Sequence, residues 1–283
     1  FRLDPRAVVG GREGGKGGEH DGQDRVRRES EAAHGGRCYP GGMAETCVVC
    51  REALDADRCG HCGAARAPGG YVVRRLVAQT PHSRLYLAEA PGGSPVALKE
   101  LLFSQVPGVK ELEAFEREAA LLKELTHPDV PRFVASFQEG RGVGTRLYLA
   151  QEFVDGGSLA DRLKQRRFDD PEARDVARRV LRILDDLHRR TPAIIHRDIK
   201  PANLLFRADG SLVLVDFGAA RTLANDATHR ATLVGTFGYM PPEQLGGTVD
   251  ATSDLYALGA TLIHLVSGKS PADLAGHDLA LDV

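Results

Sequence analysis

The sequence lacks a dominant charge: 37 Lys and Arg stand against 39 Asp and Glu, a formal net charge of −2. That balance removes the electrostatic reason to expect nucleic acid or an anionic membrane surface as a partner. A long apolar run is also missing. The longest, around Tyr256–Val266, is broken by His264, and it falls short of the ~20 residues a spanning helix needs. No apolar core of a signal peptide is visible near the N-terminus, so the chain is expected in the cytoplasm, with no membrane segment of its own. Residues 1–42 lack apolar periodicity, and glycine takes 11 of those 42 positions. Ordering such a stretch would have no burial to offset its entropy cost, so it is expected to be a disordered or non-native leader, with Met43 as the native start. Gly10, Gly15 and Lys16 within it match the spacing of a phosphate-binding loop. Gly17 stands where that loop needs a hydroxyl, and no apolar helix comes after it, so the match is read as chance.

The residues that are present read as globular. Hydrophobic residues make up 42% and charged residues 27% of 283 positions, enough for one two-lobed domain or two ordinary ones. Four of the 5 cysteines form two pairs, Cys47-x-x-Cys50 and Cys59-x-x-Cys62. Each C-x-x-C turn points two sulfurs at one centre, and two such turns complete a tetrahedral site, so a structural Zn²⁺ on all four is expected. So short a segment cannot bury a core, and the metal would supply most of its folding free energy. Two disulfides are the alternative, disfavoured in a reducing cytosol. His61 lies inside a turn and is expected to be exposed, and Cys38 lies in the leader. Residues 43–66 are thus assigned to a small zinc ribbon. The small-residue stretch Gly63–Gly70 separates it from the remainder of the chain.

From Tyr71 the pattern becomes short apolar strands, a helix, then longer helical stretches. Val96–Lys99 reads as a strand ending in lysine, and Lys110–Leu125 carries Leu112, Phe115, Ala119, Leu122 and Leu125 at helical spacing. Glu118 sits on or beside that apolar face. A carboxylate there needs a partner, and Lys99 is the natural one. Further on, Ile194–Leu205 reads IIHRDIKPANLL, and Ala208-Asp209-Gly210 is a turn between two apolar runs, a hairpin that leads into Asp216-Phe217-Gly218. That hairpin would fold Asp216 back beside Asn203 and Asp198. Phosphoryl transfer needs such a set: oxygens for Mg²⁺, a base for the hydroxyl, and cations on the phosphates.

HRD-x-K-x-x-N followed at hairpin distance by DFG resembles the eukaryotic-like protein kinase superfamily, in its Ser/Thr form and bacterial style, from Tyr71 to the C-terminus. The resemblance implies an α+β, two-lobed fold: a β-rich N-lobe over residues 71–154 and a mainly helical C-lobe over 155–283. It implies that Lys99 binds the α/β-phosphates of ATP, Glu118 pairs with it, Asp198 is the catalytic base, and Lys200 contacts the transferred phosphate. Asn203 and Asp216 would hold Mg²⁺ (or Mn²⁺). The hinge falls at Gln151–Val154, with Gln151 as gatekeeper and the backbone of Glu152 and Val154 meeting adenine. Ser158 would open the next helix near the ribose. Thr236 in GTFGYMPPE would contact Asp198 and Lys200, and Asp254 would brace the catalytic loop. Arg197 marks a class often switched by phosphorylation, here at Thr228 or Thr232. Protein substrates and ATP are the implied partners, with a further protein partner for the zinc ribbon.

Two departures stand out. Val77–Leu85, where the family carries a glycine-rich loop, contains no glycine, and glycine is what lets backbone approach phosphate closely. Ser83 or backbone amides would have to serve instead. The C-lobe is also expected to be incomplete, leaving Glu243 without an arginine partner and the Tyr256–Val266 helix uncovered, with aggregation or low activity as the consequence. A pseudokinase scaffold acting through the zinc ribbon is the alternative that the glycine-free loop supports. A small-molecule phosphotransferase is disfavoured by the GT…PPE segment.

Overall fold

The structure is a computed structural model that describes residues 46–102, 109–141, 144–223, 235–245 and 248–274. Thr228, Thr232, Met43, Cys38 and the glycine-rich leader lie outside the described residues. All described residues belong to one compact unit, Ala44–Val283.

Five antiparallel strands form the first layer: β1 (Val72–Gln79), β2 (Ser83–Glu89), β3 (Pro95–Leu102), β4 (Phe133–Glu139) and β5 (Arg146–Glu152), in the order β1-β2-β3-β5-β4. Helix α1 (Val109–Glu124) comes after β3 and matches the apolar periodicity closely. Phe115 and Leu122 on it are buried against Leu101 of β3 and Leu149 of β5. The same cluster runs on into the helical layer, through Leu184, Leu187 and Ile199 to Leu258 and Leu265. One contiguous apolar core therefore joins the sheet to the helices.

The helical layer contains α2 (Leu159–Leu163), α3 (Asp170–His188), α4 (Pro242–Leu245), α5 (Ala251–Ser267) and α6 (Pro271–Leu274). Asp169 caps α3 in a reciprocal box with Glu172, and Pro171 stands in its first turn, where its missing N–H costs nothing. Asp250 caps α5, and Gly268 ends it in the left-handed conformation. Short strand pairs join these helices: β6 (Ile194–Ile195) with β9 (Arg221–Thr222), and the hairpin of β7 (Leu204–Phe206) with β8 (Leu212–Leu214).

Side chains alternate across a strand, and both faces of the five-stranded sheet are covered. Opposite α1, Tyr71, Tyr86, Val96, Leu98 and Tyr148 form a second buried cluster, with Tyr71, Phe137 and Tyr148 stacked at ring separations of 5.4 and 5.0 Å. Val48 and Val49 of the cysteine module pack onto it. The Gly63–Gly70 stretch, a spacer by composition, is folded: Arg58 bridges Ala65, and the Val73 amide donates to the Arg66 carbonyl at 2.9 Å.

Candidate active site

Strand β3 carries Lys99 on the sheet's inner face and runs on to Leu102, so the lysine lies within the strand and does not end it. Its Nζ lies 2.6 Å from Glu118 Oε2 on α1 and 3.2 Å from Asp216 Oδ1. Glu118 is buried, with a side chain 2% exposed, and its Oε1 has no hydrogen-bond partner. Burial works against the Lys99 ammonium, but the Glu118 and Asp216 carboxylates outweigh it and hold its pKa above the ordinary lysine range. Lys99 in turn holds Asp216 below the usual carboxylate value, despite its desolvation. Burial raises Glu118, with Lys99 pulling against it.

The second group of side chains comes from the loop between β6 and β7, joined by Thr236 from the segment beyond β9. Asp198 accepts from Lys200 Nζ at 2.6 Å, Asn203 Nδ2 at 2.9 Å and Thr236 Oγ1 at 2.7 Å. Lys200 also donates to Thr236 Oγ1 at 2.8 Å. Three donors from three directions fix the Asp198 carboxylate. The loop is held from beneath by Asp254 of α5, which is fully buried and accepts from the His196 amide at 2.9 Å, the Arg197 amide at 2.7 Å and His188 Nε2 at 2.9 Å. Arg197 takes φ 71° and Asp216 φ 64°, left-handed values uncommon for such residues. Strain of this kind persists where surrounding bonds over-determine it, and the Asp254 carboxylate does so at Arg197.

The β7–β8 hairpin joins the two groups. Val215 donates its amide to the Asn203 carbonyl at 2.9 Å, which places Asp216 next to the loop. Lys200 contributes to lowering Asp216, and His196 packs edge-on against Phe217 with ring centroids 4.7 Å apart. Burial keeps His196 below the ordinary histidine pKa. The structure thus brings Lys99, Glu118 and Asp216 together, and Asp198, Lys200, Asn203 and Thr236 together.

The remaining expected contacts lie along β5 and beyond. Gln151 is buried, and Glu152 donates its amide to the Arg132 carbonyl at 2.8 Å while its side chain holds Arg207 at 3.0 Å. Val154 is buried. Ser158 caps α2: its hydroxyl accepts from the Asp161 amide at 3.0 Å and donates to the Asp161 carboxylate at 2.7 Å. At the glycine-free turn between β1 and β2, Thr80 Oγ1 accepts from the amides of His82 at 3.3 Å and Ser83 at 3.0 Å. The tip is closed by its own hydroxyl, and those amides are turned inward.

The residues fit a divalent cation. Both Asn203 Nδ2 contacts go to Asp198, its carbonyl oxygen at 2.8 Å and Oδ2, which leaves the Asn203 carboxamide oxygen available to a cation. The Asp216 side chain is 48% exposed and offers hard oxygens beside it.

The four cysteines form a separate centre. Their sulfurs all lie within 4.8 Å of one another, with Cys47–Cys62 and Cys50–Cys59 at 3.5 Å. Tetrahedral Zn–S bonds of ~2.3 Å place sulfurs ~3.8 Å apart, so the cluster has the dimensions of a metal cage, whereas a disulfide requires ~2.05 Å. The two turns are built alike. Arg51 donates its amide to the Cys47 carbonyl and Gly63 to Cys59, both at 2.9 Å, and each donor is left-handed at φ 69°. Backbone amides of Cys62 and His61 hold Cys59 down at about 6, while burial pushes Cys62 up to about 12. His61 is exposed.

Sequence reasoning passed over Glu100. It is fully buried on the opposite face from Lys99 and accepts from Tyr86 Oη at 2.7 Å, Tyr148 Oη at 3.0 Å and Arg146 Nη1 at 2.7 Å. An acidic residue in the apolar run VALKELL was the available signal.

The fold and site together are those of a two-lobed kinase. Residues 82–280 match the family described as the protein kinase domain, and the chain belongs to that family. It is 41% identical over 172 residues to the serine/threonine-protein kinase PknA of Nostoc sp., a match spanning 57% of this chain and 29% of PknA. To serine/threonine-protein kinase B of Synechocystis sp. it is 34% identical over 235 residues, 76% of this chain and 40% of that protein. PknJ of Mycobacterium tuberculosis is 36% identical over 209 residues, 71% of this chain and 34% of PknJ. The chain therefore spans well under half the length of these relatives. No helix among the described residues is long and apolar enough to cross a membrane.

Proposed function

We propose that this chain transfers the γ-phosphate of ATP to Ser and Thr hydroxyls of proteins, its own among them. The observation that carries the reading is Asp198, held by Lys200, Asn203 and Thr236 beside a buried Lys99–Glu118 pair. Asp198 accepts the proton of the attacking hydroxyl, which becomes the new phosphoester oxygen as the bond from γ-phosphorus to the bridging oxygen of ADP breaks. Lys200 neutralises the transferred group, and Lys99, kept charged by two carboxylates, holds the α/β-phosphates. Mg²⁺ or Mn²⁺, when bound, neutralises phosphate charge, and Asn203 and Asp216 are the residues that would hold it. Gln151, Glu152 and Val154 line the adenine end. Ser158 serves the fold through α2. A pseudokinase reading loses ground because every charged group the chemistry needs is present and positioned.

The cysteine module, residues 43–66, holds a structural Zn²⁺ on Cys47, Cys50, Cys59 and Cys62, supported by the sulfur spacing. Unpaired thiols at this separation fit a reducing compartment, the cytoplasm. The kinase domain spans residues 71–283, with its lobes meeting after Val154. Regulation by loop phosphorylation is supported by Arg197, a buried arginine directly before Asp198 in the catalytic-loop motif.

Incubating the full chain with γ-labelled ATP, Mg²⁺ and a Ser/Thr-rich acceptor protein tests the reading. Label on Ser or Thr that disappears in Asp198→Asn is expected. Equal labelling in the variant would overturn the assignment.

A further inference from the structure

The cysteine module and the active site lie against opposite faces of one sheet, and adjacent residues of β3 face each of them. Lys99 points to Glu118 and Asp216, and Glu100 points to the module's side. A carboxylate without access to water is costly unless its lone pairs are satisfied; three hydrogen-bond donors satisfy this one, and a fourth cation stands within ion-pair distance. Besides Tyr86, Tyr148 and Arg146, Arg84 Nη1 stands 3.6 Å away. Burial, then the Glu100 charge, pushes both phenols above their ordinary pKa, so both keep their protons and donate.

The same arginines hold the second cysteine turn. Arg84 Nη2 donates to the Cys62 carbonyl at 3.0 Å. The Arg146 guanidinium lies against Gly63, where a Cβ would strike it. Arg58 donates to the Gly63 carbonyl at 3.0 Å and pairs with Glu139 of β4 at 2.6 Å. The Cys62 carbonyl at the metal turn is thus capped by a cation rooted in the sheet, and that cation and Arg146, which packs against Gly63, converge on the neighbour of Lys99. Among the described residues, the module's own apolar cluster holds only Cys47, Cys59 and Ala64 buried, too little to keep its shape without a metal.

We propose that Glu100 and Arg84 are positioning residues that fix β3, and with it Lys99, only while the cysteine module is folded around its metal, so that nucleotide affinity depends on metal occupancy. Loss of the metal removes the Cys62 carbonyl from Arg84 and the cover from Arg146, and admits water to Glu100. The inference rests on the reading of Lys99 as a phosphate-binding residue.

The test uses the full chain, with metal content measured alongside titration by a fluorescent ATP analogue with Mg²⁺. Four proteins are compared: wild type, Cys59→Ser, Arg84→Met and Lys99→Met. Metal removal, or Cys59→Ser, is expected to weaken nucleotide binding roughly fivefold or more, the low end of common intersite coupling. Arg84→Met, with its metal still bound, is expected to show the weakened binding already, with KM for ATP raised more than kcat is lowered. Stripping its metal should then add less than about twofold, because the two changes act through one link. Arg84→Lys should restore part of the affinity. Unchanged affinity in metal-free wild type, or effects of Arg84→Met and metal removal that multiply, would overturn the coupling. Where the metal-free protein loses its cooperative melt, metal-bound Arg84→Met decides alone, and an unchanged KM overturns the proposal. If Lys99→Met also binds nucleotide normally, the functional reading fails and not the coupling.

Discussion

Replacing Lys99 by methionine should destabilise the domain far more than replacing its partner, and the deficit should depend on pH. Glu118 is 2% exposed; Oε1 has no hydrogen-bond partner and Oε2 meets Lys99 at 2.6 Å. Removing the lysine leaves a buried carboxylate with nothing to oppose its charge, a loss of about 3–5 kcal/mol. For a domain of this size each kcal/mol lowers Tm by roughly 2–4 °C. Glu118→Gln should cost less, because Lys99 keeps Asp216 at 3.2 Å and is 22% exposed. Burial already raises the Glu118 pKa, and Lys99→Met deletes the main opposing influence, so the folded value rises further. A carboxyl whose folded pKa is raised binds more protons folded than unfolded, so its penalty is complete above the folded value. The penalty fades as pH falls toward the unfolded value of ~4.3. Urea denaturation at pH 8 and pH 5.5 should therefore show a wide gap between wild type and Lys99→Met at pH 8 and a narrower one at pH 5.5. A double variant, Lys99→Met with Glu118→Gln, should recover most of the loss. A pH-independent deficit, or a Glu118→Gln protein less stable than Lys99→Met, would refute the reasoning.

Asp254→Ala removes the acceptor of two buried amides and of His188, each unsatisfied group costing about 1–3 kcal/mol. The variant is expected to melt lower and to lose kcat more than ATP affinity, since Arg197 and Asp198 lose their support while Lys99 does not. An unchanged kcat would contradict this. Gly156→Ala drives a Cβ into the Phe206 carbonyl oxygen, a backbone atom that cannot turn aside. It should cost at least the ~1–3 kcal/mol of ordinary overpacking, and a denaturation midpoint equal to wild type would show the approach is looser than described.

Local patterns carried much of this architecture. The apolar period from Leu112 to Leu125 set α1, the turn at Ala208–Gly210 set the β7–β8 hairpin, and C-x-x-C spacing grouped four sulfurs. The candidate catalytic cluster was legible because Asp198, Lys200 and Asn203 lie within one short loop, where backbone geometry brings them together. The features that escaped were long-range. Arg58 meets Glu139 across 81 positions and Arg146 meets Glu100 across 46. Neither pair leaves a periodic trace, so the docking of the cysteine module on the sheet was invisible. Gly63–Gly70 read as a spacer because composition records flexibility and not the carbonyl that Arg58 or Arg84 caps. Ser158, expected to open the next helix, caps α2 through its hydroxyl.

The most direct measurement is transfer of labelled γ-phosphate by wild type and Asp198→Asn, with ATP-analogue affinity determined on the same preparations. The account predicts that Asp198→Asn binds nucleotide like wild type and transfers phosphate at least ~10²-fold more slowly, the usual worth of a positioned base. Transfer at the wild-type rate in Asp198→Asn, or no transfer by a folded, nucleotide-bound wild type, would contradict it.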